Sequence, residues 1–262
     1  MNPFKHALLS GQRLLGTWMM TGSDTVAEAM ATVGFDFLVL DQEHVAVDTL
    51  DAIRIDRAIR SISATTPLYR LAGNDLVLIK RALDGGAMSL MIPFINTVEE
   101  AQQAVAAAFY PPYGKRGFAA MHRASGWGGN AQFVQEARDE LCLILQLETP
   151  EAIANIDAIA RVDGITGFFI GPGDLSSAMG QPGNPSHPEV QRMITRGLDA
   201  CQRLGKPCGI VGGNPDLMNK YQQMGFNFVA LASDMSFMLA RAKEQLAAIR
   251  GENLTVPGGE VY

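Results

Sequence analysis

Short apolar runs alternate with longer amphipathic stretches along the whole chain. The runs FDFLVL, GFFIGP and FNFVAL are almost entirely apolar and lack the regular polar alternation of a half-exposed strand. Such runs are typical of parallel strands buried on both faces. They predict strands at residues 15–20, 35–40, 67–71, 89–95, 141–147, 165–170, 208–211 and 226–231. Amphipathic stretches predict helices at 25–33, 50–62, 76–83, 98–109, 152–159, 188–204, 215–224 and 235–249.

Helix boundaries carry their own signals. Residues 97–100 (TVEE) and 186–189 (SHPE) each fit a capping box, and Thr149 before Pro150 fits an N-cap followed by proline. Glycines follow several predicted helices, at Gly34, Gly85, Gly86, Gly205 and Gly225. The chain therefore contains eight strand–helix units of about 33 residues each, which predicts an α/β fold of the (β/α)8 barrel (TIM barrel) type.

The domain organisation follows from this count. Residues 1–250 are predicted to form a single barrel domain, and residues 251–262 a flexible C-terminal tail. The one long gap, residues 111–130, is expected to be a lid or binding loop. The last helix carries Met235, Phe237, Met238 and Leu239 in near succession, an apolar face too broad for one barrel groove. We expect that helix to form an oligomer contact.

Composition and charge narrow the function classes. The chain has 262 residues, of which 47% are hydrophobic and 18% charged, and this excludes a disordered protein. The net charge is −6 without a basic stripe, so nucleic acid is not an expected partner. No apolar run is long enough for a membrane span, and the N-terminus lacks a signal-peptide core, so we expect a soluble cytoplasmic protein. Cys142, Cys201 and Cys208 are expected to be buried, reduced thiols.

Active sites of such barrels lie at the carboxyl ends of the strands. Polar residues follow the predicted strands at Asp41, Glu43, His44, Glu148, Asp174, Asn214 and Asp234, and Arg70 lies near the end of the predicted strand 67–71. Glu148 and Asp174 follow adjacent strands without a histidine or cysteine beside them, which suits a hard divalent cation such as Mg²⁺ or Mn²⁺. The alternative is that each carboxylate caps a loop or a helix.

His44 and Arg70 are the other candidates. Among the four histidines only His44 follows a barrel strand, three residues after Asp41, which could orient the imidazole for general base catalysis. The alternative is a loop histidine bonded to the backbone. Arg70 could stabilise a carboxylate or a developing enolate, or it could be a structural partner of Glu148 or Asp41.

Two further features bear on the chemistry. Gly171, Pro172 and Gly173 precede Asp174, and glycines of this kind let backbone N–H groups approach a ligand, although they also form ordinary turns. None of the six lysines lies within a predicted strand. A Schiff-base mechanism needs a desolvated lysine, so the pattern favours a metal over an imine as the electron sink.

Several motifs together resemble the HpcH/HpaI family of class II pyruvate-type aldolases. They are LDQEH at 40–44, Arg70 with LDG at 83–85, YPPYGKRG at 110–117, LQLET at 145–149, FIGPGDLS at 169–176 and HPEV at 187–190. The similar members cleave 4-hydroxy-2-oxo acids to pyruvate and an aldehyde and run the reverse addition. The wider family includes lyases of acyl-CoA substrates.

The resemblance implies how the donor half of the substrate is bound. Glu148 and Asp174 would hold a divalent ion (Mg²⁺, Mn²⁺ or Co²⁺), and Gln146 would contact the 2-oxo acid. Gly173 and Asp174 would offer backbone N–H groups to its carboxylate. Here Gln42 stands where close relatives usually have glycine, and Gly173 where they usually have alanine. The smaller residue at 173 suggests room for a larger donor such as hydroxypyruvate.

The resemblance also implies a base, an enolate stabiliser and an assembly. His44 would be the base and Arg70 would stabilise the enolate. Asp84 matches a family aspartate that makes the histidine more basic. Because Asp84 ends the third predicted helix, which places it at the opposite end of its barrel, we expect it to act from a neighbouring subunit. Otherwise it is a solvated aspartate and Asp41 is the partner of His44. The implied assembly is a hexamer, a trimer of dimers, with the last helix exchanged between subunits.

Three alternatives stay open at this point. An acyl-CoA lyase of the citryl- or malyl-CoA type should show a basic, adenine-binding surface, and no such cluster is visible in the sequence. A phosphate-binding barrel enzyme could use VGGN at 211–214 as an anion cup. A non-catalytic ligand-binding barrel would not need His44, Arg70, Glu148 and Asp174 at one face.

Overall fold

The strands close on one another in chain order, as the apolar runs predicted. A computed structural model describes residues 1–252, which contain one closed parallel barrel of eight strands. The strands are β1 (Leu14–Met19), β2 (Phe37–Asp41), β3 (Thr66–Arg70), β4 (Ser89–Ile92), β5 (Cys142–Leu147), β6 (Gly167–Ile170), β7 (Cys208–Gly212) and β8 (Phe228–Ser233). The prediction of a (β/α)8 barrel is therefore confirmed.

The same residues form eleven α-helices around and below the barrel. They are α1 (Pro3–Leu9), α2 (Asp24–Ala31), α3 (Thr49–Ile62), α4 (Leu76–Asp84), α5 (Val98–Ala108), α6 (Phe133–Glu140), α7 (Pro150–Ile159), α8 (Pro172–Ala178), α9 (Pro188–Arg203), α10 (Pro215–Met224) and α11 (Asp234–Arg250). The periodicity predicted eight of them and missed α1, α6 and α8. All three are only seven or eight residues long, about two helical turns.

The helix-boundary predictions have mixed outcomes. Thr97 and Glu100 form the expected capping box, and Thr149 accepts a hydrogen bond from the N–H of Ala152. The capping box predicted at 186–189 is wrong. The N-cap is His187, whose Nδ1 accepts from the N–H of Glu189 at 3.3 Å, because the Ser186 hydroxyl donates to Asn184 instead.

Strands β4 and β6 are each at least two residues shorter than predicted, and the difference at β4 shapes the site. Strand β4 ends at Ile92 rather than at residue 95, because Phe94 has a φ of 51° and turns the chain out of the sheet. The turn points the N–H of Phe94 at Glu148, at 2.7 Å from Oε1. Strand β6 begins at Gly167 rather than at residue 165.

Side chains of each strand alternate between the barrel interior and the helix layer. Interior aromatic rings include Trp18, Phe37, Phe169 and Phe228, all fully buried. The unpredicted helix α1 adds to this cluster, since the ring of Phe4 lies 5.3 Å from Phe37 and 5.7 Å from Phe228. The interior is a packed core, as in other barrels of this size.

Helix α11 leaves much of its apolar surface uncovered in a single chain. Met238 is 54% exposed, Leu239 47%, Leu246 46% and Ile249 85%. Exchange of this helix between subunits stays a prediction. The predicted flexible tail lies, from residue 253 onward, outside the described residues.

The sequence predicted no membrane-spanning segment and no lysine on a barrel strand. Within residues 1–252, no helix combines the length and apolarity needed to cross a membrane. The strand bounds confirm that none of the lysines at 5, 80, 115, 206, 220 and 243 lies on a barrel strand.

Candidate active site

The candidate residues gather at the carboxyl-end mouth of the barrel because neighbouring strands end at the same level. Strands β2 and β3 pair with Asp41 opposite Arg70, so the two side chains are held at adjacent strand ends. Strands β5 and β6 pair Leu147 with Ile170, so Glu148 leaves one strand where Gly171 leaves the next. The two halves of the site face each other across the mouth.

Arg70 and Asp41 form a buried, two-bond ion pair. Arg70 Nε donates to Asp41 Oδ1 at 2.9 Å and Nη2 donates to Oδ2 at 2.6 Å. The guanidinium also lies over the ring of Trp18, 4.8 Å from its centroid. Both side chains of the pair are at most 1% exposed, so each needs the charge of the other. Of the alternatives left open for Arg70, the partner found is Asp41.

The carboxylate of Asp41 does not contact the imidazole of His44 among the contacts of the described residues. Its Oδ1 instead accepts from the backbone N–H groups of Glu43, at 3.0 Å, and His44, at 3.3 Å. In this structure the Asp41 carboxylate therefore contacts the backbone of the His44 loop, and its role as a partner of the ring stays a prediction. Asp41 shapes the loop that carries His44 and holds Arg70.

Glu43 lies between the arginine and the histidine. Its Oε2 is 3.1 Å from Arg70 Nη1 and 3.8 Å from His44 Nε2. Burial raises the pKa of the Glu43 carboxyl, and the charge of Arg70 opposes that shift. The sequence placed Glu43 at a strand end but gave it no role, although it stands inside LDQEH between two residues that have one.

His44 also faces the second half of the site. Its Nε2 lies 3.9 Å from Asp174 Oδ2, and its side chain is 46% exposed, so the ring opens onto the barrel mouth. Asp174 belongs to the first turn of α8 and is 29% exposed. A general base needs this combination of a positioned ring and access to substrate.

Glu148 is a fully buried carboxyl group of the site. It is 0% exposed, and it accepts from the N–H of Phe94 at 2.7 Å and from Gln146 Nε2 at 3.3 Å. Burial raises the pKa of Glu148 to about 8, the Phe94 bond opposes the shift, and the charges of Asp174 and Glu43 add to it. The carbonyl Oε1 of Gln146 has no hydrogen-bond partner within residues 1–252.

The two glycines before Asp174 have different surroundings. A Cβ on Gly171 would lie 2.5 Å from Glu148 Oε2, so only glycine leaves room for that carboxylate. A Cβ on Gly173 would meet nothing within 4 Å. The segment that looked like a loop is the start of α8, with Gly171 at the N-cap and Pro172 in the first turn.

Other predicted residues are occupied elsewhere. Asn214 caps α10, accepting from the N–H of Leu217 at 2.9 Å. Asp234 ties β8 to the end of β1, accepting from the N–H of Met20 at 2.7 Å and from the Thr21 hydroxyl at 2.6 Å.

Asp84 has partners of its own outside the mouth. Its Oδ1 accepts from Arg116 Nη2 at 2.7 Å and lies 3.9 Å from His122 Nε2. Within residues 1–252, no hydrogen bond or ion pair joins it to His44. Its action across a subunit boundary stays a prediction.

The donor set at the mouth fits a divalent cation. The carboxyl groups of Asp41, Glu43, Glu148 and Asp174 surround a single guanidinium, so the site has no surplus positive charge with which to bind an anion by itself. A dication against Glu148 would restore its ionised form and offset this charge, and the open amide oxygen of Gln146 is a further oxygen donor or hydrogen-bond acceptor.

Residues 1–252 contain no group of three or more histidine, cysteine or acidic side chains that could hold a metal. Two carboxylates suffice for Mg²⁺ when waters and substrate oxygens complete its shell. The assignment of Glu148 and Asp174 as ligands stays a prediction.

Comparison with known proteins gives one consistent picture. The family model described as HpcH/HpaI aldolase/citrate lyase matches residues 14–240. A "2-dehydro-3,6-dideoxy-6-sulfogluconate aldolase" from Pseudomonas putida is 48% identical over 90% of this chain and 92% of its own. A "hydroxypyruvate/pyruvate aldolase" from Sagittula stellata is 43% identical over 92% and 95%. The crystal structure of an HpcH/HpaI aldolase/citrate lyase family protein from Burkholderia cenocepacia superposes with a TM-score of 0.93 at 33% identity, over 95% of this chain and 100% of that one.

Proposed function

This chain belongs to the HpcH/HpaI aldolase/citrate lyase family and is a carbon–carbon lyase, and from that premise we propose the reaction of its site. The proposed reaction is reversible cleavage of a 4-hydroxy-2-oxo acid to an aldehyde and either pyruvate or hydroxypyruvate, with a divalent metal ion. One relative is named for a sugar acid with a 2-oxo group and another for the donors hydroxypyruvate and pyruvate, which supports a 2-oxo acid as the donor half.

One observation carries the proposal. The base candidate His44 stands with its Nε2 between Glu43, which contacts Arg70, and Asp174, which follows the strand next to that of Glu148. A base, a buried cation and a pair of acidic ligand candidates therefore converge on one small volume. Aldol cleavage needs these three functions together.

The residues of the chain divide the work of the reaction. Glu148 and Asp174 would hold the ion, which when bound supplies Lewis-acid polarisation of the keto group. In the cleavage direction His44 Nε2 accepts the proton of the C4 hydroxyl. The C3–C4 bond then breaks, the C4 carbon leaves as the aldehyde carbonyl, and the electron pair of the bond forms an enolate across C3, C2 and the keto oxygen.

Arg70 and the barrel interior act on this enolate. The guanidinium of Arg70 shares its negative charge, and the buried ring of Trp18 below excludes water from that side. The protonated His44 then returns its proton to C3, which releases the 2-oxo acid and regenerates the base. In the synthetic direction His44 removes the C3 proton instead, and the enolate attacks the aldehyde.

We also propose that the protein works as a homo-oligomer that uses α11 as a contact. The exposed Met238, Leu239, Leu246 and Ile249 support a covered face on this helix. The hexamer, a trimer of dimers with exchanged α11 helices, is the arrangement implied by the resemblance. The proposed small-molecule partners are the 2-oxo acid and the aldehyde.

The decisive experiment is a synthesis screen with product identification. Pyruvate and hydroxypyruvate are each incubated with a panel of aldehydes and Mg²⁺ or Mn²⁺, and adducts are identified by mass spectrometry and NMR. Adducts that require both the protein and His44 support the proposal. Absence of adducts with every aldehyde, together with no exchange of the C3 protons of pyruvate in D₂O, would contradict it.

A further inference from the structure

Glu43 makes a contact that conflicts with the proposed reaction. Its carboxylate is 3.1 Å from Arg70 Nη1, and its side chain is only 10% exposed. Two carboxylates, Asp41 and Glu43, thus oppose one guanidinium. A substrate anion that approached Arg70 would meet a negative charge already in place.

The two carboxylates on Arg70 are held very differently. Asp41 receives two aligned hydrogen bonds from the guanidinium and two more from backbone N–H groups of the following loop. Glu43 Oε2 has no hydrogen-bond partner in the described residues, so its contact with Nη1 is an ion pair without an aligned bond. Asp41 is therefore fixed, and Glu43 is the carboxylate that can be displaced.

A displaced Glu43 has a second cation candidate within reach. His44 Nε2 lies 3.8 Å from the same Oε2 atom, so a small rotation of the side chain exchanges one contact for the other. A carboxylate next to an imidazole stabilises its protonated form. That is the form His44 takes once it has accepted the proton of the hydroxyl.

We propose that Glu43 is a positioning residue that exchanges partners during the reaction. Without substrate it holds Nη1 of Arg70. When the 2-oxo acid binds, an oxygen of the substrate takes its place at Arg70. Glu43 then turns towards His44 and receives the N–H of the imidazolium once Nε2 has accepted the hydroxyl proton. Binding of the substrate anion at Arg70 thereby frees Glu43 to stabilise the protonated form of His44. This inference rests on the proposed function, because it requires an anionic substrate at Arg70.

The exchange predicts opposite effects on affinity and turnover. In Glu43→Gln the competing charge is gone, so pyruvate should bind about threefold to tenfold more tightly in the presence of Mg²⁺. Turnover should fall by about tenfold or more, because His44 loses its carboxylate partner. A residue with only a structural role would weaken binding and turnover together, or change neither.

Binding can be measured without turnover through Trp18. The chain has two tryptophans, and the second, Trp127, is exposed in the long loop. In a Trp127→Phe background the emission comes from Trp18, which lies against Arg70. Pyruvate titrations followed by this signal, with calorimetry as a check, give the affinity of each variant.

Two further variants test the length of the Glu43 side chain and provide a control. Glu43→Asp keeps the charge but shortens the arm, so it should leave pyruvate affinity within about twofold while turnover falls. Glu28→Gln removes an exposed glutamate of α2 and should change neither. If Glu43→Gln unfolds, the Asp variant alone decides: full turnover would overturn the exchange.

The outcomes distinguish failure of the proposed function from failure of the Glu43 exchange alone. If the wild-type protein neither turns over a 2-oxo acid nor binds pyruvate, the proposed function and the exchange both fall. If the wild type does both, and Glu43→Gln weakens pyruvate binding or keeps full turnover, only the role of Glu43 is overturned.

Discussion

Arg70 Nε and Nη2 donate to the two carboxylate oxygens of Asp41, at 2.9 Å and 2.6 Å, in a pair that is almost completely buried. The register of β2 against β3 places these residues opposite each other. The pair fixes the plane of the guanidinium and leaves Nη1 as the group nearest to Glu43. The position of the Arg70 guanidinium determines whether it can stabilise the proposed enolate.

Replacing Arg70 by lysine should impair turnover while the barrel stays folded. Lysine keeps a charge near Asp41 but cannot reproduce the two parallel bonds or the stacking on Trp18. We expect kcat to fall by about 10²–10³, the usual cost of losing one oxyanion stabiliser. Arg203→Lys, at an exposed ion pair with Asp157, is the matched control. Near-normal kcat in a folded Arg70→Lys protein would assign Arg70 a structural role.

Removal of divalent metal should abolish activity. EDTA is expected to inactivate the protein, and Mg²⁺, Mn²⁺ or Co²⁺ to restore it. Glu148→Gln and Asp174→Asn should each lower Mn²⁺ affinity by at least about 100-fold in equilibrium dialysis. Loss of a direct ligand reduces metal affinity more than loss of a residue that only hydrogen-bonds to a ligand, which costs about 10-fold to 100-fold. Glu28→Gln serves as the control. Activity that survives chelation and is trapped by borohydride would indicate an imine enzyme instead.

Gly171→Ala should lower both the stability of the protein and its metal affinity through a steric clash alone. The added methyl would lie 2.5 Å from Glu148 Oε2, and Glu148 is already held by Phe94 and Gln146. We expect a stability loss of about 1–3 kcal/mol from overpacking, together with weaker Mn²⁺ binding. Thermal unfolding and metal titration check the two effects. Wild-type metal affinity in this variant would show that Glu148 does not need its observed position.

Gly173→Ala should change donor choice and little else. Its methyl group meets no atom within 4 Å, so the melting temperature should stay close to that of the wild type. Because a methyl group filling the site would favour the smaller donor, kcat/KM for hydroxypyruvate relative to pyruvate should fall by about tenfold. Equal or better turnover with pyruvate in the wild type, and no difference between wild type and variant, would contradict a role for residue 173 in donor choice.

Asp84 should act only in an assembly. Asp84→Ala and His44→Ala are each expected to be inactive, and random mixing of the two after unfolding should restore about a quarter of wild-type activity, because one site in four then combines intact groups from two chains. Sedimentation measures the assembly in the same samples. A fully active monomer would refute both the oligomer and the action of Asp84 across subunits.

The sequence located much of the mouth but not its internal contacts. Position at a strand end picked out Asp41, His44, Arg70, Glu148 and Asp174, since that rule depends only on where apolar runs stop. It could not tell that Asp41 binds Arg70 rather than the imidazole of His44. Those two arrangements place the same residues at the same strand ends and differ only in side-chain direction.

Residues without a polar signature were missed for a related reason. Trp18 looks like any apolar strand residue, and Phe94 like the end of a longer strand. The ring under Arg70 comes from β1, two strands away from β3 in the barrel, and the N–H aimed at Glu148 depends on a positive φ at Phe94. Neither contact can be predicted from the local sequence pattern.

The sequence by itself determined the barrel and the strand ends at which its chemistry gathers, because burial of parallel strands on both faces requires apolar runs and leaves polar residues where the runs stop. Only the tertiary structure decided that Glu43 stands between Arg70 and His44, and that Gly171 makes room for Glu148. Both depend on distances of a few ångströms between residues far apart in the chain or differently oriented on one loop. Such distances are set by strand register and side-chain packing, which apolar periodicity does not encode.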